Sequence, residues 1–261
     1  TFASVLMPGV QHMRHTHLPE HKFVKGEPDT GVEMAEDLER IAMNFGGENI
    51  AACIIEPIAG STGTLVPPKG YLKRIRDICN KHGILLIFDE VITGWGRTGS
   101  AFAAQEWNVT PDIMTMAKAT TNGVVPMGVV AVKEEIYDSV LDASSAPEGT
   151  PELFHGYTYS GIPVAVAAAL AVQDIFDKED LINRAKEMSP YFQDGLHSLK
   201  DLKEIVSIRG YGMMGGIEIN MKEKPGKAGY QVFKHCYDAG VNFKNTGDNL
   251  IIAPQFICEK K

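Results

Sequence analysis

Apolar positions along this chain follow two periods, and the switching between them outlines an α/β fold. Residues 50–58 form a nearly continuous apolar run that reads as a buried strand, ending in Glu56-Pro57 and a Gly/Ser/Thr loop. Residues 69–82 then place Leu72, Ile75 and Ile78 on one helical face, and Gly83 stops that helix. A second strand is predicted over 84–92, a third over 113–117 and a fourth over 129–132, with a helix over 133–141. Upstream, Val32, Ala35, Leu38, Ile41 and Ala42 recur at helical spacing within 31–44, after an irregular, histidine-rich opening. Strands alternating with helices at this pace indicate a mostly parallel sheet with helices on its faces.

The texture changes after Gly161. Helices are predicted over 163–176 and 180–199, glycine-broken strands over 205–219, a helix over 226–239, and short strands near Val241 and Leu250. This α+β pattern predicts a division into residues 1–170, part of a large domain, and 171–261, a smaller C-terminal domain. The chain opens on Thr1 in mid-flow and ends just after a strand-like run, and so reads as a piece of something longer.

Composition narrows the function classes. A formal net charge of −8 argues against general affinity for nucleic acid or an anionic membrane surface. The longest apolar stretch, 162–172, is too short to cross a bilayer and reads as a buried helix. Cys53, Cys79, Cys236 and Cys258 are scattered with no C-x-x-C pair, which suits a cytoplasmic setting.

Several motifs could carry chemistry. Gly94, Gly96 and Gly99 in GWGRTG spell G-x-G-x-x-G after a strand, the mark of a nicotinamide-dinucleotide site. That reading needs a helix opening inside the motif and an acid at the end of the next strand, where Lys118 stands instead. His12, His15, His17 and His21 are of a type that suits zinc or copper, but they lie in a proline-containing loop, and a polar surface loop without metal is the preferred reading. Residues 60–64, GSTGT, could cradle a phosphate on backbone amides; a plain turn is preferred. Asp89 and Lys118 stand out, because each ends a strongly apolar run, GILLIFDEVITG (83–94) and PDIMTMAKATTNG (111–123). Strand ends of this kind are where α/β sheets bind ligands, and both side chains are expected to be drawn partly into the protein. A lysine there suits Schiff-base chemistry, and a carboxylate beside it suits a nitrogen heterocycle.

EPIAGSTG (56–63), the segment 67–99 with DEVITG and GWGRTG, PDIMTMAKATTNGVVPMG (111–128) and HGYTYSGIPVAVAAA (155–169) together resemble the class III pyridoxal-phosphate-dependent aminotransferases. Among these the chain is most similar to the ω-amino acid:pyruvate, or β-alanine:pyruvate, group. The resemblance implies a fold-type I architecture and a homodimer with shared active sites. It implies that Lys118 forms the Schiff base with pyridoxal 5′-phosphate, that Asp89 pairs with the pyridine nitrogen, and that Val91 packs on the ring. Thr158 would reach the phosphate of the partner subunit's cofactor, and Glu56 would lie near the site. The reaction implied moves an amino group from an ω-amino acid or amine to a keto acid, pyruvate; a same-fold aminomutase or decarboxylating relative would use the same residues.

Two departures accompany the resemblance. The family's N-terminal part, with its phosphate-binding loop and stacking aromatic, is expected to be missing from these residues. Lys244, in FKNTGDNLIIAPQ, stands where members often place an arginine that binds the substrate carboxylate. Lysine keeps the charge and loses the bidentate fork. The related motif DEVQTG would place glutamine at 92; Ile92 stands there instead, as in the ω-amino acid group.

Overall fold

The structure, a computed structural model, describes residues 3–145, 147, 155–220, 222 and 224–260. Four strands form the first sheet: β1 (Ala52–Ile55), β2 (Leu85–Asp89), β3 (Ile113–Met116) and β4 (Val129–Val132). They lie in the order β1-β2-β3-β4, the first three parallel and β4 antiparallel on the edge. A second sheet is wholly antiparallel: β5 (Ile205–Tyr211), β6 (Met214–Ile219), β7 (Lys244–Thr246) and β8 (Asn249–Ile252), in the order β5-β6-β8-β7.

Helices α1 (Glu36–Phe45) and α2 (Tyr71–His82) cover one face of the first sheet. Leu38, Leu72, Ile75, Ile78 and Cys79 pack there on Cys53, Leu86 and Phe88 in one buried cluster. Gly70 (φ 80°) opens α2 and Gly83 (φ 69°) closes it, so the helix begins two residues later than its pattern predicts. The region predicted as a helix over 31–44 enters α1 through a short 3-10 turn, Val32–Ala35. The other face of the sheet differs from the expectation of helices on both sides: Ile54 is 62% exposed, and Leu85, Val130 and Val132 are exposed as well. Asp89 alternates with Leu85 and Ile87 and therefore belongs to this open face, opposite the α1/α2 layer.

Helix α4 (Glu134–Ala143) follows β4, and α5 (Pro163–Lys178) and α6 (Leu181–His197) lead into the second sheet. α5 was expected to be a buried helix. Only Ala165, Val172 and Phe176 are buried; Val164 and Leu170 lie on a side left exposed among the described residues. The buried side joins Leu181, Trp95, Ala119 and Phe256 in a cluster that bridges both halves of the chain. α7 (Lys227–Asp238) matches its pattern closely, whereas β7 falls at 244–246 rather than near Val241.

A buried charge cluster ties the first sheet to its neighbours. Asp112 Oδ2 accepts from the Leu86 amide (2.7 Å) and from Arg76 Nη1 (2.7 Å), while Lys133 Nζ lies 2.8 Å from Oδ1. Burial alone raises this carboxyl, but Lys133, the Leu86 amide and Arg76 outweigh it and hold its pKa below the ordinary value. A depressed carboxylate stabilises above its unfolded pKa, and that contribution is lost as pH falls through the lower folded value. Asp112→Asn is therefore expected to cost about 3 kcal/mol near pH 7, with Arg76 left unpaired. Urea unfolding as a function of pH should show the gap from the parent protein closing below about pH 4.

Candidate active site

β2 ends at Asp89, three residues before the predicted end, because Glu90 turns the chain. Glu90 is 0% exposed, and its carboxylate accepts from Thr93 Oγ1 (2.7 Å), the Ala103 amide (2.9 Å) and the Ala104 amide (2.8 Å). Neighbours in a strand point to opposite faces, so anchoring Glu90 inward turns Asp89 outward to the open face. Asp89 is half-buried; its Oδ1 accepts from the Val91 amide at 3.0 Å, and its Oδ2 has no donor among the described residues.

β3 likewise stops at Met116, and Lys118 opens a 3-10 turn, Lys118–Thr120. The lysine has φ 43°, a left-handed conformation that non-glycine residues seldom adopt and that gathers at functional sites. Thr120 holds this turn by donating to the Ala117 carbonyl (2.9 Å) and accepting from Trp95 Nε1 (3.0 Å). Lys118 was expected to be partly buried; it is exposed, and its amine makes no hydrogen bond or salt bridge among the described residues. The left-handed turn lifts it off the strand end, which accounts for the difference.

Glu56, just past β1, is half-buried and accepts from the Gly60 amide at 3.0 Å. Burial raises its carboxyl above the ordinary value; the Gly60 bond lowers it, the charge of Asp89 raises it and that of Lys118 lowers it. The three residues therefore share one electrostatic neighbourhood at the carboxyl ends of β1, β2 and β3, where open α/β sheets bind ligands. Val91 follows directly, half-buried. Lys244, exposed at the start of β7, lies with Nζ 3.5 Å from Ser61 Oγ, in the turn that Glu56 caps. Thr158 is exposed in a turn at 158–161, and among the described residues no hydrogen bond or salt bridge joins it to the other candidate residues.

The alternative motifs resolve differently. In GWGRTG the amides of Trp95 and Gly96 bond the Ala101 carbonyl (2.6 and 3.3 Å) and that of Gly99 bonds Gly96 (3.0 Å), so they are spent within the loop. The four-residue helix α3 (Ala103–Glu106) starts beyond the motif, and no pyrophosphate cradle forms. Arg97 of the same loop instead donates to the carbonyls of Met213 (3.1 Å) and Pro254 (2.6 Å) and covers the Phe256 ring at 4.5 Å. Residues 60–64 are a turn whose Gly63 and Thr64 amides bond the Gly60 carbonyl. In the histidine-rich segment, His21 is buried rather than exposed, with ring nitrogens 3.2 Å from the Thr16 carbonyl and 2.9 Å from the Thr30 carbonyl.

The sequence profile of the family Aminotransferase class-III matches residues 2–261. The chain belongs to that family. It is 49% identical over 257 residues to an omega-aminotransferase of Caulobacter vibrioides, covering 98% of this chain and 58% of that protein. It is 44% identical over 256 residues to an omega-amino acid–pyruvate aminotransferase of Pseudomonas putida, covering 96% and 56%. A solved omega transaminase from Pseudomonas jessenii, in complex with PMP, superposes with a TM-score of 0.88 at 29% identity, covering 99% of this chain and 58% of that one. The fold is thus the fold-type I architecture of these transaminases, and the chain spans a little over half the length of the relatives it matches.

The geometry adds residues that the sequence pattern left unmarked: Glu90, which sets the direction of Asp89, and the Trp95–Thr120 pair, which holds the lysine turn. Glu90 had a signal, since two adjacent acids at a strand end cannot share one face. The Trp95–Thr120 pair had none, being 25 residues apart.

Proposed function

We propose that the protein to which these residues belong is a pyridoxal-phosphate-dependent transaminase that moves an amino group from an ω-amino acid or amine to pyruvate. The observation that carries this reading is the grouping of Glu56, Asp89 and Lys118 at three adjacent strand ends. The residues fit the cofactor: a free amine for its aldehyde, and a half-buried carboxylate with one oxygen unbonded for its ring nitrogen.

Bound pyridoxal phosphate supplies an aldehyde for the amine and an electron-accepting ring. Lys118 Nζ would hold that group between turnovers and take the proton from the carbon bearing the substrate amine. Asp89 would keep a proton on the pyridine nitrogen, and Val91 would give the ring an apolar neighbour. Thr158 belongs to a neighbouring subunit's site in this proposal, a homodimer supported by the uncovered Val164 and Leu170 of α5 and the exposed Tyr157 and Tyr159 beside Thr158. The two sheets would form two domains meeting near residue 170. Four free cysteines, two of them buried, support a cytoplasmic setting. Among the described residues no helix is long and apolar enough to cross a membrane.

The test is a pair of half-reactions on full-length protein loaded with the cofactor. An amino donor should bleach the aldehyde-form absorbance, and pyruvate should restore it. Bleaching without restoration by any keto acid would overturn the reading. Lys244 gives a second expectation. Lys244→Ala should raise KM for β-alanine about tenfold, as expected for loss of a charge-assisted contact, and leave KM for an amine without a carboxylate unchanged. Equal effects on both donors would remove Lys244 from carboxylate binding.

A further inference from the structure

The turn 60–64 is gripped from the second sheet. Arg209 of β5 is 4% exposed, and each of its three guanidinium nitrogens donates a hydrogen bond. Nε donates to the Gly63 carbonyl at 3.0 Å, Nη2 donates to Asn249 Oδ1, and Nη1 donates to Ser207 Oγ (2.8 Å) and Glu218 Oε2 (3.0 Å). Nη1 also lies 3.4 Å from His17 Nε2; burial and the adjacent guanidinium bring His17 down to about 4, so this ring is a neutral acceptor near pH 7. The Gly63 carbonyl sits so close to β6 that a Cβ on Gly216 would lie 2.3 Å from it.

From Gly63 the linkage runs back to the site. The Gly63 and Thr64 amides bond the Gly60 carbonyl (3.2 and 3.1 Å), and the Gly60 amide bonds Glu56 Oε2 (3.0 Å). Ser61, between them, is the residue that Lys244 reaches. One side of the turn thus touches Glu56 and Lys244, and the other is bolted to the second sheet by the buried Arg209.

We propose that Arg209 is a positioning residue for the substrate side of the site: by fixing the Gly63 carbonyl it sets the place of the Glu56 carboxylate and the Ser61 hydroxyl. The role in substrate binding rests on the transaminase reading; the clamp itself does not. Arg209→Lys keeps the charge but cannot serve Gly63, Asn249 and Glu218 together, since an ammonium lacks the planar fork.

The experiment uses full-length, cofactor-loaded protein with two readouts. Amide hydrogen exchange should accelerate about tenfold or more at Gly60, Gly63 and Thr64 in Arg209→Lys, while the β2 amides keep their protection. The amino-donor KM should rise about tenfold, with the cofactor absorbance and its trapping on Lys118 unchanged, and this effect should not add to that of Glu56→Gln. Unchanged exchange in the turn overturns the clamp, whatever the activity of the protein. Faster exchange with an unchanged KM, or with effects that add to those of Glu56→Gln, overturns the positioning role. If Arg209→Lys does not fold, Asn249→Ala loosens the same guanidinium from one side, and faster turn exchange with a KM rise of about threefold is expected under the same two criteria. A parent protein that shows no amine-dependent bleaching refutes the transaminase reading and the positioning role with it, and leaves the exchange result to judge the clamp.

Discussion

Lys118→Ala should abolish turnover, with a loss of more than about 10³-fold in kcat/KM, while the thermal midpoint stays within a few degrees of the parent. The two halves of this expectation come from different facts. The amine is the group proposed to hold the cofactor and move the proton, so no neighbour replaces it. Structurally the side chain is exposed and makes no hydrogen bond or salt bridge among the described residues, so its removal leaves no buried group unsatisfied. The left-handed φ of 43° costs alanine and lysine alike, so the backbone strain is unchanged. A variant that unfolds would show Lys118 to be structural, and one that retains turnover would show the proton carrier to be another residue.

Asp89→Asn should lower kcat by about 10²- to 10³-fold and also leave the fold intact. An ion pair about 4 Å apart at an effective dielectric near 20 is worth roughly 4 kcal/mol, or about three pKa units on the proton it holds. Asparagine removes that charge but keeps an Oδ1 that still accepts from the Val91 amide, the one side-chain hydrogen bond of the aspartate among the described residues. Asp89→Glu restores the charge with a longer reach and should recover part of the rate. Pre-steady-state kinetics of the amine half-reaction would separate the effects: the loss belongs in the chemical step, with donor binding unchanged. A loss confined to KM would assign Asp89 to substrate binding instead.

How much of this was legible in the sequence depended on the range of the interaction. α2 and β2 follow from local periodicity and glycine stops, and they appear within a few residues of their predicted positions. Asp89 was legible as the end of an apolar run, but its direction depended on Glu90, whose three partners lie up to 14 residues downstream. The exposure of Lys118 was not legible, because an apolar run says that a strand is buried and nothing about the left-handed turn after it. The uncovered side of α5 was missed for a related reason: hydrophobic content predicts burial, but whether a covering surface exists is decided outside the helix. Arg209 and Gly63, 146 residues apart, carry no local pattern that joins them. The neighbourhood of Glu56, Asp89 and Lys118 follows from the parallel register of β1, β2 and β3, a pairing between distant segments that no local pattern carries.

The central claim is that Lys118 holds the cofactor. Full-length protein loaded with pyridoxal phosphate, reduced with borohydride and digested, should yield the pyridoxyl mass increment on the peptide containing Lys118. An increment on any other lysine, or none, would contradict the account.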